Sequence, residues 1–378
     1  MAAASPSPEA RELSLVGKVE MRIALADNDE KLQTILGTFL PPLLLKLASE
    51  HMSVRNKVIS VCQHVSTRIK PESIKLPVAA LVEQFKANSH TPLIRHFDLI
   101  YIQQGIRRLS ATESAALFPT VLRGIAAISQ SSVAHGAQVF NFLLQLLQYF
   151  QLPDRGSKED GELRATMKFD AADAEFLASW FGRLILLSPV KGSNKVVSAP
   201  GVTCPGLTPD EYAFLTQSKE DTWNAGSPMG LSLTETKIRA AKLLSSGLFN
   251  DTERFLPALF ASAEPATSVS GIGDDILKRV RPNTSLEDTQ LVRSLFRYYF
   301  GDDTPSGVTR VRVPLRLKIL GLLDKSTIST TFTEEIIKLA NDGIANSTED
   351  NSNAILRPEY TRSVFFLHTR YRMLHRAP

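Results

Sequence analysis

The chain of 378 residues is longer than one compact core grows, so it reads as several domains or an array of repeats. Its 43 Lys and Arg against 39 Asp and Glu leave a net charge of +4, too small a surplus to draw the chain to nucleic acid or anionic lipid. Apolar residues at 43% and charged residues at 22% exclude wholesale disorder, and no apolar run reaches the ~18 residues of a membrane span.

Residues 1–11 are rich in Ala, Ser and Pro, lack an apolar core, and read as a disordered tail rather than a secretory signal. From Glu30 onward Leu32, Ile35, Leu36, Phe39, Leu40, Leu43, Leu44 and Leu47 recur at helical spacing. A polar break at residues 49–53 follows. A second helix then carries Val54, Val58, Val61, Cys62, Val65 and Ile69 on one face and Arg55, Asn56, Lys57, Gln63, His64 and Arg68 on the other. Two amphipathic helices joined so closely must lie antiparallel to bury their apolar faces.

Pro41 and Pro42 fall inside the first of these helices. An interior proline costs about 3 kcal/mol when nothing compensates. Gly37, four residues back, leaves room for adjustment, so the pair predicts a kink within a continuous helix. The device recurs. Phe39-Leu40-Pro41-Pro42-Leu43 is echoed by Leu117-Phe118-Pro119-Thr120-Val121 and by Phe255-Leu256-Pro257-Ala258-Leu259, with looser copies around Pro77 and Pro314. Pro41, Pro77 and Pro119 stand 36 and 42 residues apart, near the ~40–47-residue period of HEAT and armadillo arrays. Second helices are predicted over 93–109, 133–150 and 269–280. Pro77 is placed at the opening of a helix.

Periodicity stops over 151–170 and 188–209, which are rich in Pro, Gly and charge and are expected as loops, with a helix at 171–187 between them. Helices resume at 231–245, 251–263, 286–300, 314–323 and 333–344. Only 308–313 alternates like a strand, and one such segment has no sheet to join. The predicted fold class is all-α, an α-solenoid of HEAT-like antiparallel hairpins over 12–150 and 210–345. A divergent end occupies 346–378. An array stopping at Pro378 would bare the apolar flank of its last hairpin, so the isolated chain is expected to be poorly soluble.

The search for chemistry is short. Cys62 and Cys204 lie far apart, build no disulfide framework and fit a reducing compartment. Cys62 and His64, two apart on a helix, point away from each other and cannot act as nucleophile and base. The other histidines lack metal-ligand spacing. Gly271-Ile272-Gly273 lacks the preceding strand, third glycine and lysine of a phosphate loop, and reads as close helix packing. Arg310, Arg312, Arg316 and Lys318, with Arg293 and Arg297 near, form the densest basic stretch, an exposed helix face or a patch for an acidic protein surface. No catalytic residue, metal site or cofactor is expected, and neither is a small-molecule substrate.

Three ordered stretches carry a resemblance. One is Phe39-Leu40-Pro41-Pro42-Leu43-Leu44-Leu45-Lys46-Leu47 followed by Val54-Arg55-Asn56-Lys57-Val58. A second is Cys204-Pro205-Gly206-Leu207-Thr208 with Glu211-Tyr212 and Asp221-Thr222-Trp223. The third is Glu253-Arg254-Phe255-Leu256-Pro257-Ala258 continuing to Gly271-Ile272-Gly273-Asp274-Asp275. Across about 12 to 345 the chain resembles the N-terminal region of the large HEAT-repeat adaptor and scaffold family of the 26S proteasome. The resemblance implies a non-catalytic scaffold, cytoplasmic and nuclear, that binds proteasome core and regulatory particles and supports their association and assembly. Members are several times longer than this chain, and 351–378 departs from their pattern. Repeat periodicity by itself also accommodates another HEAT-type scaffold, such as a nuclear-transport or trafficking factor, which binding to a Ran-type GTPase would distinguish.

Overall fold

The computed structural model describes residues 7–88, 90–189, 196, 202–216, 222–227 and 230–347. Among them every regular element is helical, which gives the all-α class. The chain divides into two compact units, Met1–Gln151 and Leu152–Pro378.

The first unit holds α1 (Pro8–Ala24), α2 (Asp29–Leu45), α3 (Met52–Arg68), α4 (Val78–Ala87), α5 (Pro92–Ile106), α6 (Ala111–Leu122), α7 (Ile125–Ser131) and α8 (Val133–Leu147). Sequence neighbours pack as hairpins, α4 on α5 and α7 on α8. Alternate helices pack too, α1 on α3, α2 on α4 and α6 on α8. That pattern makes two helical layers, the arrangement of solenoid repeats. Leu36, Val58, Val61, Phe85, Tyr101, Phe118 and Phe140 lie between the layers, essentially inaccessible to water.

Local chemistry sets where these helices begin. The Asn28 side chain accepts from the Lys31 amide at 2.8 Å ahead of Asp29 and Glu30. Ser110 and Glu113 form a reciprocal capping box at α6. Gly124, at φ 73°, takes the left-handed turn that separates α6 from α7.

Their ends are closed by cations from a neighbouring hairpin. Arg68, in the last turn of α3, donates to the Ile23 and Ala26 carbonyls at 2.9 and 2.7 Å, at the end of α1. Arg108 repeats the device one hairpin on, donating to Ile69 at 2.6 Å and Ile74 at 3.0 Å. Lys86 donates to the Thr120 carbonyl near the end of α6 at 2.6 Å. The last carbonyls of a helix have no partner within it and carry partial negative charge, so a fixed cation there satisfies both needs.

The second unit holds α9 (Lys158–Thr166), α10 (Ala171–Leu186), α11 (Pro209–Thr216), α12 (Leu233–Leu244), α13 (Asp251–Ser262), α14 (Thr267–Val280), α15 (Thr289–Phe300), α16 (Val313–Leu323) and α17 (Thr333–Ser347). Here α13 is central and packs on α10, α12, α14 and α16. The non-helical segment 308–312 is a strap between α15 and α16. The Gly206 amide donates to the Thr309 carbonyl at 2.9 Å, and the Thr309 amide donates to the Leu207 carbonyl at 3.3 Å. The backbone of Thr309 therefore pairs with a turn at 204–207, while Val308 and Val311 bond to Asp302 and Tyr298, and no sheet forms among the described residues.

Several expectations are corrected. The tail expected over 1–11 is helical from Pro8, where Ser7 caps the first turn; residues 1–6 lie outside the described residues. The loop expected over 151–170 contains α9. Its start is capped by Ser157, and Asp160, itself buried, accepts from the Gly156 amide at 3.1 Å and the Gly247 amide at 2.8 Å. Arg164 on the next turn makes a double contact with Glu253 at 3.2–3.4 Å. Polarity there reflects a helix held by polar clamps, a case that apolar periodicity misses. Within the loop expected over 188–209, residues 190–195 and 197–201 lie outside the described residues, and most of the divergent end at 346–378 does too.

Candidate functional site

The predicted repeat-signature residues occupy structural positions. α2 runs unbroken through Pro41 and Pro42, with Pro42 exposed and Pro41 half-buried, so the carbonyls that lose their donors face toward water. Pro119 lies within α6 and Pro257 within α13, where the Pro257 ring packs over Gly182 of α10. Pro77 stands at the N-cap of α4. Val54 is fully buried, and Arg55 donates from Nη1 to the Ser49 carbonyl at 2.6 Å, tying α3 to the turn before it.

The two glycines of α14 part company. Gly273 is buried, and a Cβ there would stand 2.4 Å from the Ser262 amide nitrogen and 2.7 Å from the Ala261 carbonyl carbon. Only glycine permits that approach of α14 to the end of α13. Gly271 is exposed and faces open space, so the packing role expected of it does not hold.

The basic stretch is no patch. Arg316 is buried at 8% exposure. Arg310 stacks its guanidinium 5.4 Å from the centre of the Tyr299 ring and donates to the Tyr299 carbonyl at 3.2 Å. Lys318 donates to the Ser262 carbonyl at 2.8 Å and to Asp274 at 2.9 Å, closing the end of α13 as Arg68 closes α1. Arg297 pairs with Asp302 at 2.7 Å, which holds that carboxyl below its usual range. Arg312 alone of the four is exposed. The residues alternate between strap and helix, so adjacency in sequence does not put them on one face.

Buried titratable groups converge in the second unit, where Cys204, Lys237 and Glu264 lie near Ser188 and Arg312, and are scattered in the first. Burial pushes the Cys62 thiol up to about 11, and the Tyr101 hydroxyl donates to the Cys62 backbone carbonyl at 3.1 Å. His64 is exposed on the opposite face. Burial raises Asp98 to about 7 although Gln84 donates to it at 2.9 Å. Burial and then the Arg95 guanidinium push His135 down to about 4, where its ring meets the Phe85 ring edge-on at 4.6 Å. Cys204 lies 3.4 Å from the Ser188 hydroxyl and burial raises its pKa. Lys237, 5% exposed, pairs with Glu264 at 2.7 Å. Among the described residues no three His, Cys, Asp or Glu side chains are placed to hold a metal ion, and no helix is long and apolar enough to cross a membrane.

What remains is surface. The second unit has concavities of about 370, 220 and 390 Å³. The first is lined by α13, α14 and α16. Its cations come from positions 278, 281, 318 and 325, which only packing brings together, and no motif in the sequence marks them.

Residues 16–359 match the family model described as "Proteasome component ECM29, N-terminal". The chain is 32% identical to "Proteasome component ECM29" of Saccharomyces cerevisiae over 351 residues, 90% of this chain and 18% of that protein. It is 26% identical to the "Proteasome-associated protein ECM29 homolog" of Drosophila melanogaster, over 92% of this chain and 18% of that one. Against the human "Proteasome adapter and scaffold protein ECM29" it is 26% identical over 97% of this chain and 21% of that one. The chain thus spans about a fifth of the length of these relatives. No solved structure matches it.

Proposed function

Since the chain belongs to the ECM29 proteasome-component family, we propose that it is a non-catalytic scaffold segment that binds the 26S proteasome. The observation that carries the reading is the family match over 16–359, nearly the whole chain, on a fold made of stacked hairpins. Stacked hairpins offer long rigid surfaces to partner proteins without needing an enclosed site. The relatives' names, component, adapter and scaffold, support the same role. Proteasome core and regulatory particles are the proposed partners, and stabilising their association and assembly is the proposed consequence. The cytoplasm and nucleus are the proposed location. Neither nucleic acid nor a small-molecule substrate is part of the proposal. The family assignment takes the place of the transport-receptor alternative.

The test is purification of proteasomes from cells expressing the tagged full-length protein, with the 378-residue segment run in parallel. Core and regulatory subunits are expected to co-purify with the full-length protein. Their absence under conditions that preserve the holoenzyme would overturn the proposal. Loss on deletion of the segment would place a contact within it.

A further inference from the structure

A pocket of about 390 Å³ opens between the start of α12, the turn joining α13 to α14, and the strap ahead of α16. Trp223, Leu233 and Pro265 give it apolar walls. The Trp223 indole N–H is spent on the Leu215 carbonyl at 2.9 Å, so the ring brings no donor to the pocket. These walls can be reached from solvent: Trp223 and Leu233 are half-buried, and Pro265, Ala225 and Thr234 are exposed around the mouth. Trp223 ends the second ordered stretch of the sequence, and Cys204, which begins it, lies 3.4 Å from Ser188 of the pocket lining.

Three charged side chains meet here. Lys237 stands one turn along α12 from Leu233, is 5% exposed, and donates to Glu264 at 2.7 Å. That is its single hydrogen bond among the described residues, so the other N–H groups of a buried ammonium have no acceptor there. Lys318 shows the contrast, since it divides its donors between the Ser262 carbonyl and Asp274. Arg312 is exposed, and its side chain makes no hydrogen bond or ion pair among the described residues. Burial lowers the Lys237 pKa, Glu264 opposes that, and the charge of Arg312 lowers it further. Lys237 and Arg312 against Glu264 leave the lining with one positive charge in excess among its described residues.

We infer that this pocket binds a carboxylate carried on an apolar body, its oxygens on Lys237 and Arg312 and its body on Trp223, Leu233 and Pro265. Three features select that chemistry. A single negative charge cancels the surplus, whereas a phosphate monoester, which carries about −1.5 to −2, overshoots it. A planar guanidinium presents paired donors that match a carboxylate, and the idle N–H groups of a buried lysine gain most from an ionised acceptor. The rest of the lining carries no charge and is mostly apolar, which favours a hydrocarbon body over a sugar or a nucleotide. The volume lies toward the small end of the roughly 300–1,000 Å³ of ligand pockets, room for a ring-bearing acid or the last residue of a peptide chain. Both sources present the same groups. The inference holds whether or not the protein binds proteasomes.

Photolabelling of the full-length protein tests it. The probe is para-benzoylbenzoate, an aromatic carboxylate that attaches to neighbouring C–H bonds under irradiation, beside its uncharged amide. Mass spectrometry is expected to place the label on peptides carrying Trp223, Leu233 or Pro265, with about tenfold less from the amide. Arg312→Gln removes a cation that no described residue holds, so this variant should melt like the unaltered protein and label about tenfold less. Ala225→Trp, which narrows the exposed mouth without changing charge, should lower labelling as well. Excess hydrocinnamate should protect the site, and inorganic phosphate and adenosine monophosphate at the same concentration should not. A short peptide ending in phenylalanine, as free acid and as amide, separates the sources. Stronger protection by the free-acid peptide than by hydrocinnamate assigns the pocket to a protein C-terminus, and the reverse assigns it to a small organic acid. Equal labelling by the amide, undiminished labelling of Arg312→Gln, label placed only outside the pocket, or equal protection by phosphate overturns the inference.

Discussion

Two glycines on one helix permit a controlled test of how closely α13 and α14 pack. Gly→Ala changes the unfolded chain identically at 271 and 273, and in either place alanine is the better helix former by about 1 kcal/mol. At Gly271 nothing stands within 4 Å of the new Cβ, so the gain is kept and Gly271→Ala stabilises by about 0.5–1 kcal/mol. At Gly273 the new carbon meets the Ser262 nitrogen at 2.4 Å and the Ala261 carbonyl carbon and Cβ at 2.7 and 2.8 Å. Two of these three are backbone atoms of the neighbouring helix and cannot swing aside as a side-chain tip would. The helices must separate by most of an ångström along the end of their contact, where Ala261 and Val269 are fully buried. Overpacking of that kind costs about 1–3 kcal/mol, so Gly273→Ala is expected to destabilise by about 1–2 kcal/mol net. The two variants therefore straddle the unaltered chain by about 1.5–3 kcal/mol. Urea unfolding followed by far-ultraviolet circular dichroism reads the midpoints, which suffices even where a repeat array unfolds in more than one step. A Gly273→Ala midpoint equal to or above that of the unaltered chain would refute the reasoning about the α13–α14 approach.

Acid titration separates two buried groups of the first unit. His135, held down to about 4 by burial and then Arg95, gives a share of stability complete above its unfolded value near 6.5 and lost as pH falls through 4. Asp98, raised to about 7 by burial against the Gln84 hydrogen bond, gives a share complete below its unfolded value near 3.8 and lost as pH rises toward 7. The two slopes oppose each other between about pH 4 and 6.5, so acidification should cost Asp98→Asn more melting temperature than the unaltered chain, and His135→Phe less; equal slopes in all three would refute this. In the second unit, Lys237→Met leaves Glu264 without its partner at 2.7 Å and is expected to cost about 3 kcal/mol, while adding Glu264→Leu restores most of it. Thermal melts of single and double variants measure that recovery, and a double variant no better than the single would contradict the ion-pair account.

Apolar periodicity made most of the helices legible. The predicted starts and stops around Leu32–Ile69, Val133, Asp251 and Thr333 fall within a few residues of the observed ones because each helix buries one side against another layer. Periodicity said nothing of α1, whose inward side is carried by only Val16 and Ile23 as fully buried residues, with Glu12 and Glu20 beside them paired to Lys46 and Lys57. It missed α9 for the same reason: Asp160 and Arg164 hold that helix by hydrogen bonds to Gly247 and Glu253, contacts 87 and 89 residues away that no local pattern encodes. The basic stretch misled in the opposite direction. Arg310, Arg312, Arg316 and Lys318 are neighbours along the chain, yet a strap and a helix turn them to different surroundings.

That difference bears on where partners bind. A helix end buried against another hairpin has carbonyls that need donors, and a solenoid creates such ends at every repeat. Arg68, Arg108, Lys86 and Lys318 each meet one, so these four cations are spent on structure. A nearly balanced total charge then says little about any one surface, because the cations left for a partner are those that no helix end requires. Lys278, Arg281 and Lys325 are such cations, exposed around the junction of α13, α14 and α16.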